Sequence, residues 1–265
     1  MAGRGNMSDI RKQRANSSMS GLISSKDIFL SRVRTDELDS VRRWLPPGSL
    51  VLELGTGNGI QAGQLTKRGC RVVGIDVAPA SNLVAAIYDG LNIPMAGSSV
   101  DRVFSSNCLE HVVSLDELLL ETHRVLKPDG LAVHVVPSTS WRAVSFIGCY
   151  FAALRRTTRS RTSLPENHSS FHSANMRAPK PRISLFPPAH GTARSALHEL
   201  VSFSRRRWKR KFLDAGFKIL LETSSGLLYS GNYLLPHLDF RWRKVASRFL
   251  GSSCHVFVLA PRSGS

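Results

Sequence analysis

The chain has 265 residues, with 36 Lys and Arg against 19 Asp and Glu and a formal net charge of +17. That length holds one elaborated domain or at most two, and the positive field draws anionic partners: nucleic acid, acidic lipid headgroups or phosphorylated substrates. Cys70, Cys108, Cys149 and Cys254 lie far apart with no C-x-x-C pair, which argues against a zinc site or disulfide framework, brings no metal site into view and suits a reducing compartment.

Residues 1–26 are rich in Ser, Gly, Arg and Asn, have little periodicity, and read as a disordered basic tail. They contain no apolar signal-peptide core, so the expected location is cytoplasmic. Thr35 reads as an N-cap with Asp36 and Glu37 in the first turn. Leu38, Val41, Trp44 and Leu45 follow at helical spacing until Pro46-Pro47-Gly48 ends the helix. Val51–Leu54 is a strand that runs into Gly55-Thr56-Gly57-Asn58-Gly59, after which residues 60–68 suit a helix. A strand that stops at a glycine-rich turn and opens a helix is the nucleotide-binding first unit of a doubly wound sheet. Its glycines remove the Cβ atoms that would keep a ligand off the backbone. Residues 71–75 form a second strand closed by Asp76, an acid about 20 positions past the loop and so placed to accept from ribose hydroxyls.

Beyond Pro79 there is room only for a turn before a third strand over 83–88, with Asp89 at its carboxyl end on the ligand rim. Residues 100–105 read as the fourth strand, followed by Ser106-Asn107-Cys108-Leu109-Glu110-His111. Ser114 and Glu117 have the spacing of a capping box, and Leu115, Leu118, Leu119, Thr122, Val125 and Leu126 make one apolar stripe. Lys127-Pro128-Asp129-Gly130 breaks that helix, and residues 131–136 form a fifth strand. Alternating strands and helices imply a parallel sheet covered on both faces.

The run from Val51 to Pro137 resembles the class I S-adenosylmethionine-dependent methyltransferases, specifically the type 11 methyltransferase domain. The resemblance is carried by Glu53-Leu-Gly-Thr-Gly-Asn-Gly59, Gly74-Ile-Asp76, Asp89 with Leu91-Asn-Ile-Pro94-Met, Ser98-Ser-Val-Asp101-Arg-Val-Phe, Leu109-Glu110-His111 and Arg124-Val-Leu-Lys-Pro-Asp-Gly130. It covers about a third of the chain. Asp129 departs from the family, which more often has a second Gly there, and so does the shortened segment after Asp76. A nicotinamide dehydrogenase wants the longer G-x-G-x-x-G spacing and leaves the Leu-Glu-His and Arg-Val-Leu-Lys-Pro pieces without a reason.

The resemblance implies an α/β fold: a doubly wound, seven-stranded, mostly parallel sheet in the order 3-2-1-4-5-7-6, with an antiparallel edge pair and a cap inserted after strand five. It implies S-adenosylmethionine as cofactor. Gly55, Gly57 and Gly59 would lie along its methionyl part, with Thr56 in the same loop and Glu53 ordering it. Asp76, beside Val77, would hold the ribose; Asp89, beside Gly90, would face the adenine; and Asn107 would lie by the sulfonium. Methyl transfer needs a base only when the acceptor must lose a proton. His111 at the rim and His190 in a Pro-Pro-Ala-His-Gly loop are the catalytic candidates, while Tyr229 and Tyr233 suit core or lid packing better.

Past strand five the resemblance fades, and substrate choice belongs there. Residues 141–154 are largely apolar and end at Arg155-Arg156, too short for the ~20 residues of a bilayer span. They suit a lid, an interfacial helix with basic anchors, or a helix packed on the sheet. Residues 157–194 read as a long loop. From Ser195, Leu197, Leu200, Val201, Trp208 and Phe212 lie along one helical face that ends at Gly216. A strand over 217–221, a basic helix over 234–249 and a last strand over 254–259 complete the chain. The expected organisation is a tail (1–26), a cofactor-binding core (27–140), a variable insert or lid (141–194) and the C-terminal part of the fold (195–265). Residues 151–215 carry 14 Lys and Arg against 3 Asp and Glu. The first expectation is methyl transfer to a small molecule, lipid- or glycan-linked and anionic, with contact at an anionic membrane surface. An RNA methyltransferase is the alternative that the charge favours, although no RNA-binding module or Asn/Asp-Pro-Pro-Tyr motif is present. A cofactor-binding partner protein without catalysis is the third.

Overall fold

The computed structural model describes residues 25–78, 81–159, 190, 192, 195–230 and 238–262. The expected tail lies outside them apart from Ser25 and Lys26, as does most of the expected loop over 157–194. Seven strands, β1 (Leu50–Leu54), β2 (Arg71–Asp76), β3 (Val84–Ile87), β4 (Val100–Ser106), β5 (Leu126–Pro137), β6 (Phe217–Ser224) and β7 (Cys254–Pro261), form one sheet. Its order is 3-2-1-4-5-7-6, as expected. The first five strands pair in parallel, and β7 runs antiparallel to both its neighbours, β5 and β6. Val51, Leu52 and Leu54 are fully buried, as the near-continuous apolar run of a parallel strand covered on both faces requires.

The first helix departs from expectation. α1 spans Ser25–Val41 and passes straight through Thr35, whose hydroxyl donates to the Ser31 carbonyl one turn back instead of capping anything. Phe29 and Val33 extend the buried face of Leu38 and Val41, and that tertiary packing outweighs a local capping preference worth about 1 kcal/mol. A 3₁₀ turn over Arg42–Trp44 leads into β1. α2 (Ile60–Lys67) follows the glycine loop. α3 (Leu115–Val125) buries the expected stripe, yet Ser114 at its N-cap position makes no side-chain capping bond, so the capping box does not form. β5 begins at Leu126, five residues before the expected start. Leu126 pairs with Val100, and a register shift then absorbs Lys127–Gly130 before Leu131 pairs with Arg102.

After β5, α4 (Thr139–Arg159) is a single helix over the apolar segment. Among the described residues no helix is long and apolar enough to cross a membrane. The helix expected from Ser195 is two helices, α5 (Ala196–Ser202) and α6 (Arg205–Asp214). Phe203 is buried at the break and Ser204 caps α6 by position. Leu197 and Val201 on α5 are 53% exposed, whereas Trp208 and Phe212 are buried. Phe212 packs on Phe257 and His134 of the sheet, and the Trp208 indole N–H donates to the Pro137 carbonyl at 3.1 Å. One straight helix cannot seat Trp208 on the sheet while α5 lies over α4. α7 (Phe240–Leu250) starts at Asp239, which accepts from the Arg241 N–H; the expected start at Leu234 lies outside the described residues.

Candidate functional site

β1 and β4 are neighbours whose connections leave toward opposite edges of the sheet, and the crevice above their carboxyl ends is where such sheets bind ligands. Its floor is the glycine loop. Gly55 and Gly57 have φ of +73° and +52°, a region that side chains enter at a cost. A Cβ on Gly55 would stand 2.5 Å from Cys108 Sγ, but one on Gly57 would meet only the Gly55 carbonyl, at 4.0 Å. Gly55 is therefore bare so that the loop can pack on the end of β4, and Gly57 is bare toward open space. Gly59, also at positive φ, takes the N-cap position of α2. The buried Thr56 turns its hydroxyl to the backbone carbonyls of Ile75 and Glu53, tying β1 to β2.

Asp76 joins the rim to the floor. One carboxylate oxygen accepts from Gly57 N–H at 2.7 Å and the other from Val77 N–H at 2.7 Å. A cavity of about 390 Å³ lies between Asp76, Val77, Tyr88, Asp89 and Gly90 on one side and Cys108, His111 and Val112 on the other, a size typical of small-molecule sites. Asp89 accepts from Asn92 Nδ2 and from the N–H groups of Asn92 and Leu91. Those bonds hold its carboxyl below the usual range and fix the turn after β3. Asn107 ends β4 at φ +49°, and its side-chain amide donates to Glu37 at 3.2 Å.

The crevice is acidic inside a basic chain. Burial, reinforced by the charge of Asp76, pushes the Glu53 carboxyl up to about 8, and its Oε2 has no hydrogen-bond partner among the described residues. Burial and then the charges of Glu110, Asp76 and Glu53 push the Cys108 thiol up to about 12. Tyr88 is raised for the same reasons, with Asp76 and Asp89 among its neighbours. An orphaned buried carboxyl, an open backbone cradle over Gly57 and a negative local field fit a cationic cofactor such as S-adenosylmethionine.

The two expected catalytic histidines meet. The rings of His111, in a 3₁₀ turn over Leu109–His111, and His190 stand edge to face with centroids 4.9 Å apart. His190 also packs against Trp141 at 4.8 Å. Its N–H donates to Glu199 on α5, and Thr192 N–H donates to the Glu110 carbonyl. Burial lowers the pKa of both rings, and for His190 the charge of His111 adds to it. Both are therefore neutral at pH 7 and able to accept a proton. On the far side of the 3₁₀ turn, a second cavity of about 350 Å³ shares Val112 and Val113 with the first. It is lined by Leu109, Phe203 and Trp208 together with Arg207 and Lys211.

Glu37, expected in the first turn of a helix, has a larger role. It is fully buried and accepts from Arg34, Ser106, Asn107 and Tyr229. The signal was present: Glu37 falls one turn after Val33 and one turn before Val41, on the apolar face. Tyr229 is accounted for by this contact, and Tyr233 lies outside the described residues.

A family profile of a methyltransferase domain, type 11, matches residues 52–134. The chain is 37% identical over 97 residues to an uncharacterized methyltransferase of Mycobacterium sp. (strain KMS), covering 33% of this chain and 38% of that protein. It is 35% identical over 94 residues to the biotin biosynthesis bifunctional protein BioHC of Cellvibrio japonicus (strain Ueda107), covering 31% of this chain and 18% of that one. The chain thus matches less than half the length of these relatives. An S-adenosylmethionine-dependent methyltransferase of Mesorhizobium loti shares the fold with a TM-score of 0.51, at 14% identity, over 85% of this chain and 97% of its own. The profile match runs from β1 into β5, through the glycine loop, Asp76, Asp89 and the Leu-Glu-His turn, and residues 52–134 are accordingly a type 11 methyltransferase domain within a class I S-adenosylmethionine-dependent methyltransferase fold.

Proposed function

We propose that the chain transfers the methyl group of S-adenosylmethionine to a small acceptor with an apolar body and an anionic group, most naturally a lipid-linked one. The observation that carries this reading is the acid-lined crevice over the bare Gly57 backbone, in a protein whose net charge is otherwise +17. When bound, the cofactor supplies an activated methyl on a sulfonium. What remains for the chain is alignment, worth up to ~7–11 kcal/mol of barrier, and removal of the acceptor's proton. Gly57 and Asp76 would hold the donor against the floor, with Asp89 at the far rim and Asn107 at the end of β4. Neutral His111 or His190 would take the proton that the acceptor oxygen or nitrogen loses on methylation.

The second cavity supports the acceptor class, because its apolar walls suit an acyl or prenyl body and Arg207 suits an anionic group. Ile147 and Tyr150 on α4, with Leu197 and Val201 on α5, are exposed, which in a chain of net charge +17 favours work at an anionic membrane surface. The RNA alternative loses support on α6. Arg205 and Lys209 pair with Glu222, Arg210 with Asp214 and Lys211 with Asp116, so most of that basic run answers the chain's own acids. Incubation with methyl-labelled cofactor and fractionated cell extract is the test. Label in the lipid fraction is expected; label in RNA reverses the choice, and cofactor binding without any label favours a partner protein without catalysis.

Glu53 makes the binding step pH-dependent. Its carboxyl is largely protonated at pH 7, and a cation above the loop stabilises the carboxylate, so binding expels a proton below about pH 8. Cofactor affinity should therefore rise with pH up to about 8 and then level off. Calorimetry in buffers of different ionisation heat should detect the proton, and Glu53→Gln should abolish the part of the pH dependence that this carboxyl causes.

A further inference from the structure

Glu110 is the least explained polar group near the site. It is 5% exposed, and both its carboxylate oxygens are buried without a hydrogen-bond partner among the described residues. Leaving a buried carboxyl unsatisfied costs stability, and packing alone gives no reason for one here. The group it faces is informative. One carboxylate oxygen of Glu110 and one ring nitrogen each of His111 and His190 lie within 4.8 Å of one another. His111 Nε2 stands 3.8 Å from Glu110 Oε1. No spacing motif announces this set, since Glu110 and His111 are adjacent in a 3₁₀ turn and His190 belongs to the variable insert.

We propose that Glu110, His111 and His190 bind a divalent transition-metal ion, of the Zn²⁺, Fe²⁺ or Co²⁺ class, at the rim of the cofactor cavity. Two imidazoles and one carboxylate are a donor set for these ions, and the harder Mg²⁺ and Ca²⁺ prefer oxygen. Metal–ligand bonds of about 2.0–2.1 Å in a tetrahedral site place neighbouring ligand atoms about 3.3 Å apart. The ligand atoms therefore close by up to about 1.5 Å, which ring rotation at the half-exposed His111 and the exposed His190 supplies. Two main-chain anchors bring the segments together: Glu199 accepts from the backbone N–H of His190, and Thr192 N–H donates to the backbone carbonyl of Glu110. Three protein ligands leave at least one position open, and His111 lines the cofactor cavity. The open position can take an acceptor hydroxyl, whose proton the ion renders acidic enough to pass to solvent water. That role, unlike the binding itself, rests on the methyl-transfer reading, and it replaces a histidine base with a metal-bound acceptor oxygen.

The test uses the untagged full chain, stripped with chelator and dialysed, then titrated with Co²⁺ alone while visible absorption is followed. Saturable one-to-one binding with d–d bands is expected. Glu110→Gln, His111→Ala and His190→Ala should each weaken it by about 100-fold, and His123→Ala, whose ring packs on Phe217, should not. Should His111→Ala fail to fold, His190→Ala decides alone, because that side chain lies at the surface. The absence of saturable binding, or binding that survives His190→Ala, overturns the site. Because the readout needs no cofactor, a chain that binds cobalt but transfers no methyl refutes the activity and leaves the site standing. A chain that methylates in chelator and binds no cobalt does the reverse.

Discussion

Gly57→Val should weaken cofactor binding by at least ~100-fold while the protein stays folded. The two consequences separate because of what surrounds this position. A Cβ there meets nothing nearer than the Gly55 carbonyl at 4.0 Å, so the fold bears only the local cost of a side chain at φ +52°, about 1–2 kcal/mol. The isopropyl group then stands in the open space that the donor's backbone contact needs. Relief of the strain also tilts the Gly57 N–H away from Asp76, whose oxygen it meets at 2.7 Å. Loss of both terms should weaken affinity by at least ~100-fold, equivalent to about 2.8 kcal/mol. Gly55→Val gives the contrast, because its Cβ would lie 2.5 Å from Cys108 Sγ and 2.9 Å from Cys108 Cβ; that variant should lose stability before it loses affinity. Calorimetric titration with S-adenosylmethionine and circular dichroism melts of both variants decide the matter. A Gly57→Val protein that binds as tightly as wild type would remove the glycine loop from the site.

Such an experiment can be designed from the sequence because the cofactor side of this fold is local. The glycine loop, Asp76 and Asp89 each sit at the end of a strand, and the apolar stripe of α3 follows from period alone. Contacts that depend on a distant partner were not legible. Thr35-Asp36-Glu37 has every mark of a helix start, and only the burial of Phe29 and Val33 against the rest of the domain carries α1 through it. The split between α5 and α6 depends on seating Trp208 against Pro137 of β5, which no helical period encodes. Leu126 looks like the last turn of a helix until Val100 is seen beside it. His190 shows why this side of the crevice resists reading: it belongs to the variable insert, and no sequence spacing records its meeting with His111 and Trp141.

Glu37→Ala should cost the domain about 3 kcal/mol, the low end of the range for removing one member of a buried ion pair because Arg34 keeps 29% of its side chain exposed, out of a total that for most domains is only about 5–15 kcal/mol. The carboxylate is fully buried. Oε2 accepts from Arg34 at 2.7 Å and Ser106 at 3.0 Å, and Oε1 from Tyr229 at 2.6 Å and Asn107 at 3.2 Å. Cys254 Sγ donates to Oε1 at 3.4 Å. One side chain thus ties α1 to the end of β4, to the segment after β6 and to β7, and its loss strands Arg34 and Tyr229 together. The pH dependence follows in sign. Burial alone would raise the Glu37 carboxyl, but the Arg34 charge and the bonds from Tyr229, Arg34 and Ser106 outweigh it and hold it below its ordinary value of 4.5. A depressed carboxyl contributes stability above its unfolded pKa and loses it as pH falls through the folded one. Urea denaturation of wild type and variant should therefore show the full gap at pH 7 and a narrowing gap in acid, where wild-type Glu37 also takes up its proton. Glu37→Gln keeps an acceptor for Tyr229 but no charge for Arg34, and should fall between the two with the same loss of pH dependence. Asn107 separates the structural role from the functional one: with its amide released from Glu37, the Glu37→Ala protein should bind cofactor more weakly even where urea shows it folded. A stability gap that stays constant from pH 7 into acid would mean that the charge of Glu37 is not what holds these four elements together.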